Sequence, residues 1–181
     1  MTHYCKRTTM NKFFNLIVAV SLTFGLASCL KDDEHFVDFA SAGYVAEIPY
    51  AANRSILRTF SVSAAKASLD TLIDVNIASP SPPTTDVPIT VGIDQAALAT
   101  YNAGVATKYT LLPAGAYTLA NTTVTVPAGQ RIASVRMSFI GSKIPTTGGP
   151  FALPISIQTV PSNVTISANY RTQIVAITLT K

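Results

Sequence analysis

The sequence predicts an all-β domain built as an antiparallel sandwich. Three observations carry that reading. From Phe36 onward the chain is a succession of short runs in which apolar and polar residues alternate, the period-two signature of half-buried strands. Pro, Gly, Asn and Asp separate these runs, and little of the chain shows helical spacing. Ala, Thr, Ser, Val and Ile are abundant while charged residues make up only 12%, a composition that favours extended strands with small side chains on the wet face.

Ahead of that domain stands a leader. Lys6, Arg7 and Lys12 precede an apolar run from Phe13 to Leu26, which ends in small residues. This is the three-part layout of a secretory signal. Asn15, Ser21 and Thr23 interrupt the run, and it falls short of the roughly 20 apolar residues that a spanning helix needs. Met10 would itself make a compact start. Leu26-Ala27-Ser28-Cys29 resembles a bacterial lipobox, which implies cleavage after residue 28 and acylation of Cys29. Several acyl chains anchor a protein firmly, since each buried methylene contributes about 0.8 kcal/mol and one chain alone is marginal. Lys31, Asp32, Asp33 and Glu34 follow, and they resemble the surface-export signal of Bacteroidota lipoproteins. The implied address is the outer face of the outer membrane; a solvated, charge-extended tether is the plainer alternative.

Three segments result: a lipoprotein signal peptide at 1–28, an acidic tether at 29–35 and one β-sandwich domain at 36–181, with no further module expected. Cleavage changes the charge argument. The formal charge of the whole chain is +4, but three basic residues leave with the leader, so the mature balance is ten basic against nine acidic residues. That excludes an electrostatic case for nucleic acid, which needs clustered Lys and Arg. The expected contact with the membrane is the lipid anchor. Cys5 leaves as well and Cys29 carries lipid, so the domain has neither disulfide nor thiol nucleophile.

Within the domain each element has a local reason. Val124 and Val126 share one face of a strand, and Val135, Met137 and Phe139 alternate with Ser134, Arg136 and Ser138. Phe151, Leu153, Ile155 and Ile157 repeat the pattern, but Pro154 cannot donate to a ladder, which predicts that this strand lies at an edge or carries a bulge. Val175, Ile177 and Leu179 make the final strand. Pro113-Ala114-Gly115 and Pro127-Ala128-Gly129 place Pro and Gly where a type I turn takes its second and fourth residues. Asp94 before Gln95-Ala96-Ala97-Leu98-Ala99 predicts an N-capped helix of about two turns, the only one outside the leader. Ser79 to Asp86 and Pro145 to Pro150 read as crossings between strands.

The order Asp86-Val87-Pro88-Ile89-Thr90-Val91, Tyr101-Asn102, Tyr109, Leu112-Pro113, Tyr117, Val126-Pro127-Ala128-Gly129 and Leu153-Pro154-Ile155 resembles Bacteroidota domain-of-unknown-function family 1735 over nearly all of the mature chain. The resemblance implies an immunoglobulin-like sandwich, often placed at the N-terminus of surface lipoproteins ahead of glycan-active modules. It brings no catalytic residues.

Chemistry is sparse. His35 is the one histidine outside the leader, so a His/Cys metal centre and the usual triads lack their parts. The aspartates beyond Glu47 are Asp70, Asp74, Asp86 and Asp94. Asp70 and Asp74 on one strand would stand roughly 13 Å apart, too far for a glycosidase pair, and strand-end and turn roles are expected for all four. No Asp-x-Asp-x-Asp-Gly run supports calcium. No cofactor is expected. Asp70-Thr71-Leu72 resembles a Bacteroidota O-glycosylation site, with a chance tripeptide as the alternative. There is no Trp for a sugar platform; among the tyrosines, Tyr101 and Tyr109 are the ligand-contact candidates because a loop separates them, against a structural role at the sandwich rim. The expectation is a non-catalytic surface lipoprotein that binds or assists in glycan capture. The alternative is a structural or protein-interaction module with an outer-membrane protein partner.

Overall fold

Period-two alternation builds the first sheet as expected. In β3 (Leu69–Ala78) the odd-numbered Ile73, Val75 and Ile77 are completely buried, and in β8 (Ile132–Phe139) so are Val135, Met137 and Phe139. Their neighbours Asp70, Leu72, Asp74, Ser134 and Arg136 face solvent. The two strands pair antiparallel with Leu72 opposite Arg136. β1 (Tyr44–Glu47), β6 (Tyr117–Leu119) and β10 (Val164–Ile166) complete the order β10-β1-β3-β8-β6.

The second sheet runs β2-β11-β9-β4-β7, from β2 (Leu57–Ser63), β11 (Thr172–Thr180), β9 (Phe151–Thr159), β4 (Val87–Ile93) and β7 (Thr123–Val126), with β5 (Thr110–Leu111) added beside β9. Inner faces of both sheets meet in one core, where Ile73 and Val75 join Ile89, Leu153, Ile155 and Val175. Phe60 and Phe139 touch across it with ring centroids 6.0 Å apart. The computed structural model describes residues 43–181. The leader, the lipobox residues Leu26, Ala27, Ser28 and Cys29, and the tether residues Lys31, Asp32, Asp33 and Glu34 lie outside the described residues.

The topology is immunoglobulin-like. Taken in order across each sheet, β1, β3, β8 and β6 hold the places of strands A, B, E and D, while β4, β9 and β11 supply C, F and G. Three parallel pairings are added to this antiparallel frame: β1 with β10, β2 with β11, and β5 with β9. The second follows from a break in the opening strand. Pro49 begins a five-residue helix, Pro49–Asn53, at the position where a missing N–H costs nothing. Behind it the chain resumes as β2 in the opposite sheet.

Four local expectations need correction. Pro154 lies in a central strand and not at an edge. Its carbonyl accepts from the Asp94 N–H at 3.1 Å, and the β4 ladder ends one residue away, at Ile93 opposite Ile155. β5 takes over the same side of β9 at Phe151 and Ala152. Pro154 therefore sits at the junction of two partners, where no ladder donor is demanded of it; the strand does carry an irregularity, not at Pro154 but at Gln158, which is left over where Thr90 and Val91 of β4 face Thr159 and Ile157. The outer face of β9 is also dry, since Ala152, Pro154 and Ser156 are buried. The two Pro-Ala-Gly turns start on their prolines: Ala116 N–H bonds the Pro113 carbonyl and Gln130 N–H the Pro127 carbonyl. Gly129 then takes the third place at φ 78°, the left-handed position that a type II turn reserves for glycine. Finally, the Asp94 helix has company in Pro49–Asn53 and runs longer than expected, through Gln95–Gly104.

Candidate functional site

The helix Gln95–Gly104 is placed by its own sequence. Asp94 stands in a non-helical conformation and its Oδ1 accepts the Ala97 N–H at 3.0 Å, closing the first turn. The Asp94 N–H, bonded to Pro154, fixes that end to β9. The helix buries Leu98 on a bed of Ala152, Ile174 and Ala176. The two alanines matter, because small residues let a helix lie close over a sheet. At the other end Asn102 grips the returning chain twice, its amide nitrogen donating to the Tyr109 carbonyl at 2.9 Å and its oxygen accepting the Tyr109 N–H at 2.9 Å. Lys108 Nζ donates to the carbonyls of Asn102 and Val105, placing positive charge where the helix dipole is negative.

Tyr101 and Tyr109 are brought together by this clasp, ring centroids 6.2 Å apart and tilted by 45°. Both pack against the small cluster under the helix. Burial, with the adjacent Tyr109 adding to it, pushes the Tyr101 phenol above its ordinary value of 10.0. Tyr109 is held in the clasp and packs on that cluster; Tyr101 also faces a groove.

That groove, about 390 Å³, runs between the helix and the loop before β11. Asp94, Thr100, Tyr101, Asn169, Arg171 and Ile56 supply its chemically distinctive walls. The loop is held from two sides, because Ile48 N–H bonds the Tyr170 carbonyl at 2.8 Å and Ile157 N–H bonds the Arg171 carbonyl at 2.9 Å. Arg171 Nε is buried and has no hydrogen-bond partner. Asp94 lines the same groove, and no ion pair joins it to Arg171 among the described residues. A second groove of about 420 Å³ lies at the other end of β11, walled by Ile144, Pro145, Phe151, Ile177 and Leu179 with Lys181 at its margin. It is mainly apolar.

The other aspartates have structural work. Asp70 stands at the start of β3 and Asp74 in its middle rather than at an end; they accept the hydroxyls of Ser138 and Ser134 at 2.6 Å each. Asp86 accepts the Ala128 N–H at 2.9 Å and ties two turns together. Among the described residues no three His, Cys, Asp or Glu side chains gather as a metal-binding group. Thr71 belongs to the inner-facing set of β3, opposite the buried Met137, so the folded domain does not present the Asp70-Thr71-Leu72 hydroxyl as a wet-face side chain. Arg171 and Asn169 escaped sequence reasoning. A lone arginine in a polar loop carries no local signal; only its meeting with the helix gives it meaning.

The fold recurs in solved proteins of Bacteroides. A Bacteroides ovatus protein named a "putative carbohydrate binding protein" superposes with a TM-score of 0.60 at 16% identity, covering 74% of this chain and 36% of that one. EndoBT-3987 of Bacteroides thetaiotamicron, solved with a Man5GlcNAc product, gives 0.60 at 23% identity, covering 74% and 30%. A Bacteroides ovatus multidomain protein including DUF1735 gives 0.60 at 16%, covering 77% and 46%. This chain thus spans less than half of each. No curated protein sequence matches it. A family model described as a "-like, N-terminal domain" matches residues 43–164, about two thirds of the chain, from β1 to the first residue of β10. The chain belongs to this N-terminal domain family, and its fold is shared with the Bacteroides multidomain protein that includes DUF1735.

Proposed function

We propose that this protein is a non-catalytic lipoprotein of the outer-membrane surface that serves as a binding or accessory module in glycan capture. The observation that carries the reading is its family: the same sandwich forms part of one Bacteroides protein named for carbohydrate binding and of an endoglycosidase solved with its glycan product. The groove beside the helix supports binding in preference to catalysis. Asp94 is its single carboxylate, and that group is engaged in capping, whereas glycoside hydrolysis takes two carboxyl groups across the scissile bond. The lipobox at Leu26-Ala27-Ser28-Cys29 and the acidic run Lys31 to Glu34 support an acylated, outward-facing protein.

Two measurements test this. Detergent-solubilised full-length protein on an array of host and plant polysaccharides is expected to bind at least one glycan class, and a blank array overturns glycan capture. Protease added to intact cells is expected to remove the protein; protection until the outer membrane is opened overturns the surface address. A spacer or protein-interaction role is the second reading. It is favoured by the larger size of the solved relatives, of which this chain spans 30% to 46% in the three cases above, and a stable partner co-purifying from solubilised outer membranes would support it.

A further inference from the structure

We infer that the groove between the helix Gln95–Gly104 and the loop before β11 is a subsite for one neutral pyranose unit, with Arg171 as its principal hydrogen-bond donor. The inference rests on the glycan-capture reading and locates it. A volume of about 390 Å³ lies within the range of small-ligand pockets. Buried polar groups almost always find partners, yet Arg171 Nε is enclosed and has none. Its backbone is pinned through the Arg171 carbonyl to Ile157, so the guanidinium is displayed from a fixed base. Arg171 lines the groove, so a turn of its side chain would bring this unmet donor to a ligand there.

The opposite charges decide what kind of acceptor fits. Arg171 and Asp94 line one groove without pairing. A sugar hydroxyl is both donor and acceptor, so vicinal hydroxyls can accept from Arg171 while donating to Asp94, whose second oxygen is not used by the helix cap. A carboxylate or phosphate would satisfy Arg171 but meet repulsion from Asp94. Asn169 adds an amide at the rim, and Tyr101 offers ring surface of the amphipathic kind that sugar faces use. The net charge of the two facing groups is zero, which selects a neutral ligand.

The test follows the Arg171 Nε–H directly. Methyl glycosides of mannose, glucose and galactose are titrated into the full-length protein in detergent, with glucuronate and inorganic phosphate as anionic arms, and the arginine Nε–H resonances are followed by NMR. At least one neutral glycoside is expected to move the Arg171 signal with a Kd in the millimolar range, the anions are not, and Arg171→Met is expected to weaken binding at least tenfold. Asn169→Ala, on the exposed rim, supplies an independent loss of several fold should the arginine variant fold poorly. The inference is overturned if no neutral glycoside moves that resonance at millimolar concentrations, if only the anions do, or if both variants bind like the wild type. A polysaccharide retained on the array while the Arg171 signal stays still sinks the groove alone and leaves glycan capture standing; a blank array with a still signal sinks both.

Discussion

The two sheets of the sandwich solve the same problem differently. In the first, β3 and β8 bury one face and wet the other, and the outer face carries Asp70, Asp74, Ser134 and Ser138 in cross-strand hydrogen bonds. In the second, β9 is buried at every position from Phe151 to Ile157 and β11 from Thr172 to Ile177, because the helix Gln95–Gly104 covers their outer side. A helix laid on a sheet creates edges of its own, and the groove with Arg171 opens along one of them. The covered sheet thus gains a concave feature along the helix, while on the wet sheet the outer polar side chains satisfy one another across the strands.

Truncating the shared core should show the largest effect. Ile155 is completely buried on the inner face of β9, and Ile155→Ala is expected to cost about 4 kcal/mol by lost transfer energy and cavity formation, read as a drop in the chemical-denaturation midpoint. Leu98→Ala, on the outer side, sharpens the comparison. Leu98 is 5% exposed over a bed of small residues that the helix can settle onto, so the loss should fall near the low end for such a change, about 2 kcal/mol. Amide exchange should accelerate in the helix 95–104 while β3 and β8 stay protected. Equal acceleration across both sheets would show that the helix is not a separable cover.

This difference also explains what could be read from sequence. β8 was legible because its alternation is complete within eight residues, and Asp94 because a cap is a local device. β9 was misread at Ala152, Pro154 and Ser156, which look like wet-face residues or a breaker when only neighbours in the chain are considered. Their burial depends on a helix about fifty residues earlier in the sequence and on β5 replacing β4 along one flank. Half of the groove was legible in the same sense. Tyr101 announces itself as an aromatic beside a loop, while Arg171 acquires a role only when two distant segments meet.

The cap gives a smaller and more local effect. Asp94→Ala removes one hydrogen bond to the Ala97 N–H and is expected to cost about 1 kcal/mol, with Asp94→Asn recovering most of it. Alkaline titration reads the same region without mutation. Because the folded-state pKa of Tyr101 is raised by burial and then by Tyr109, its contribution to stability is intact below the ordinary value of 10.0 and declines as pH rises through the raised one. Phenolate absorbance should show one late-titrating tyrosine, and Tyr101→Phe should remove it.

The wet sheet should be nearly indifferent to losing its ornament. Asp70 is exposed, and its bond to the Ser138 hydroxyl spans two strands already joined by backbone pairing. Exposed polar contacts of this kind contribute a few tenths of a kcal/mol to about 1. Asp70→Ala is therefore expected to lower stability by about 0.5 kcal/mol or less, and removing Ser138 in the Asp70→Ala background should add little. If the double change costs several times the single one, the outer face of β3 and β8 is an energetically coupled network, and the sheet that looks idle would have to be reconsidered as a second working surface.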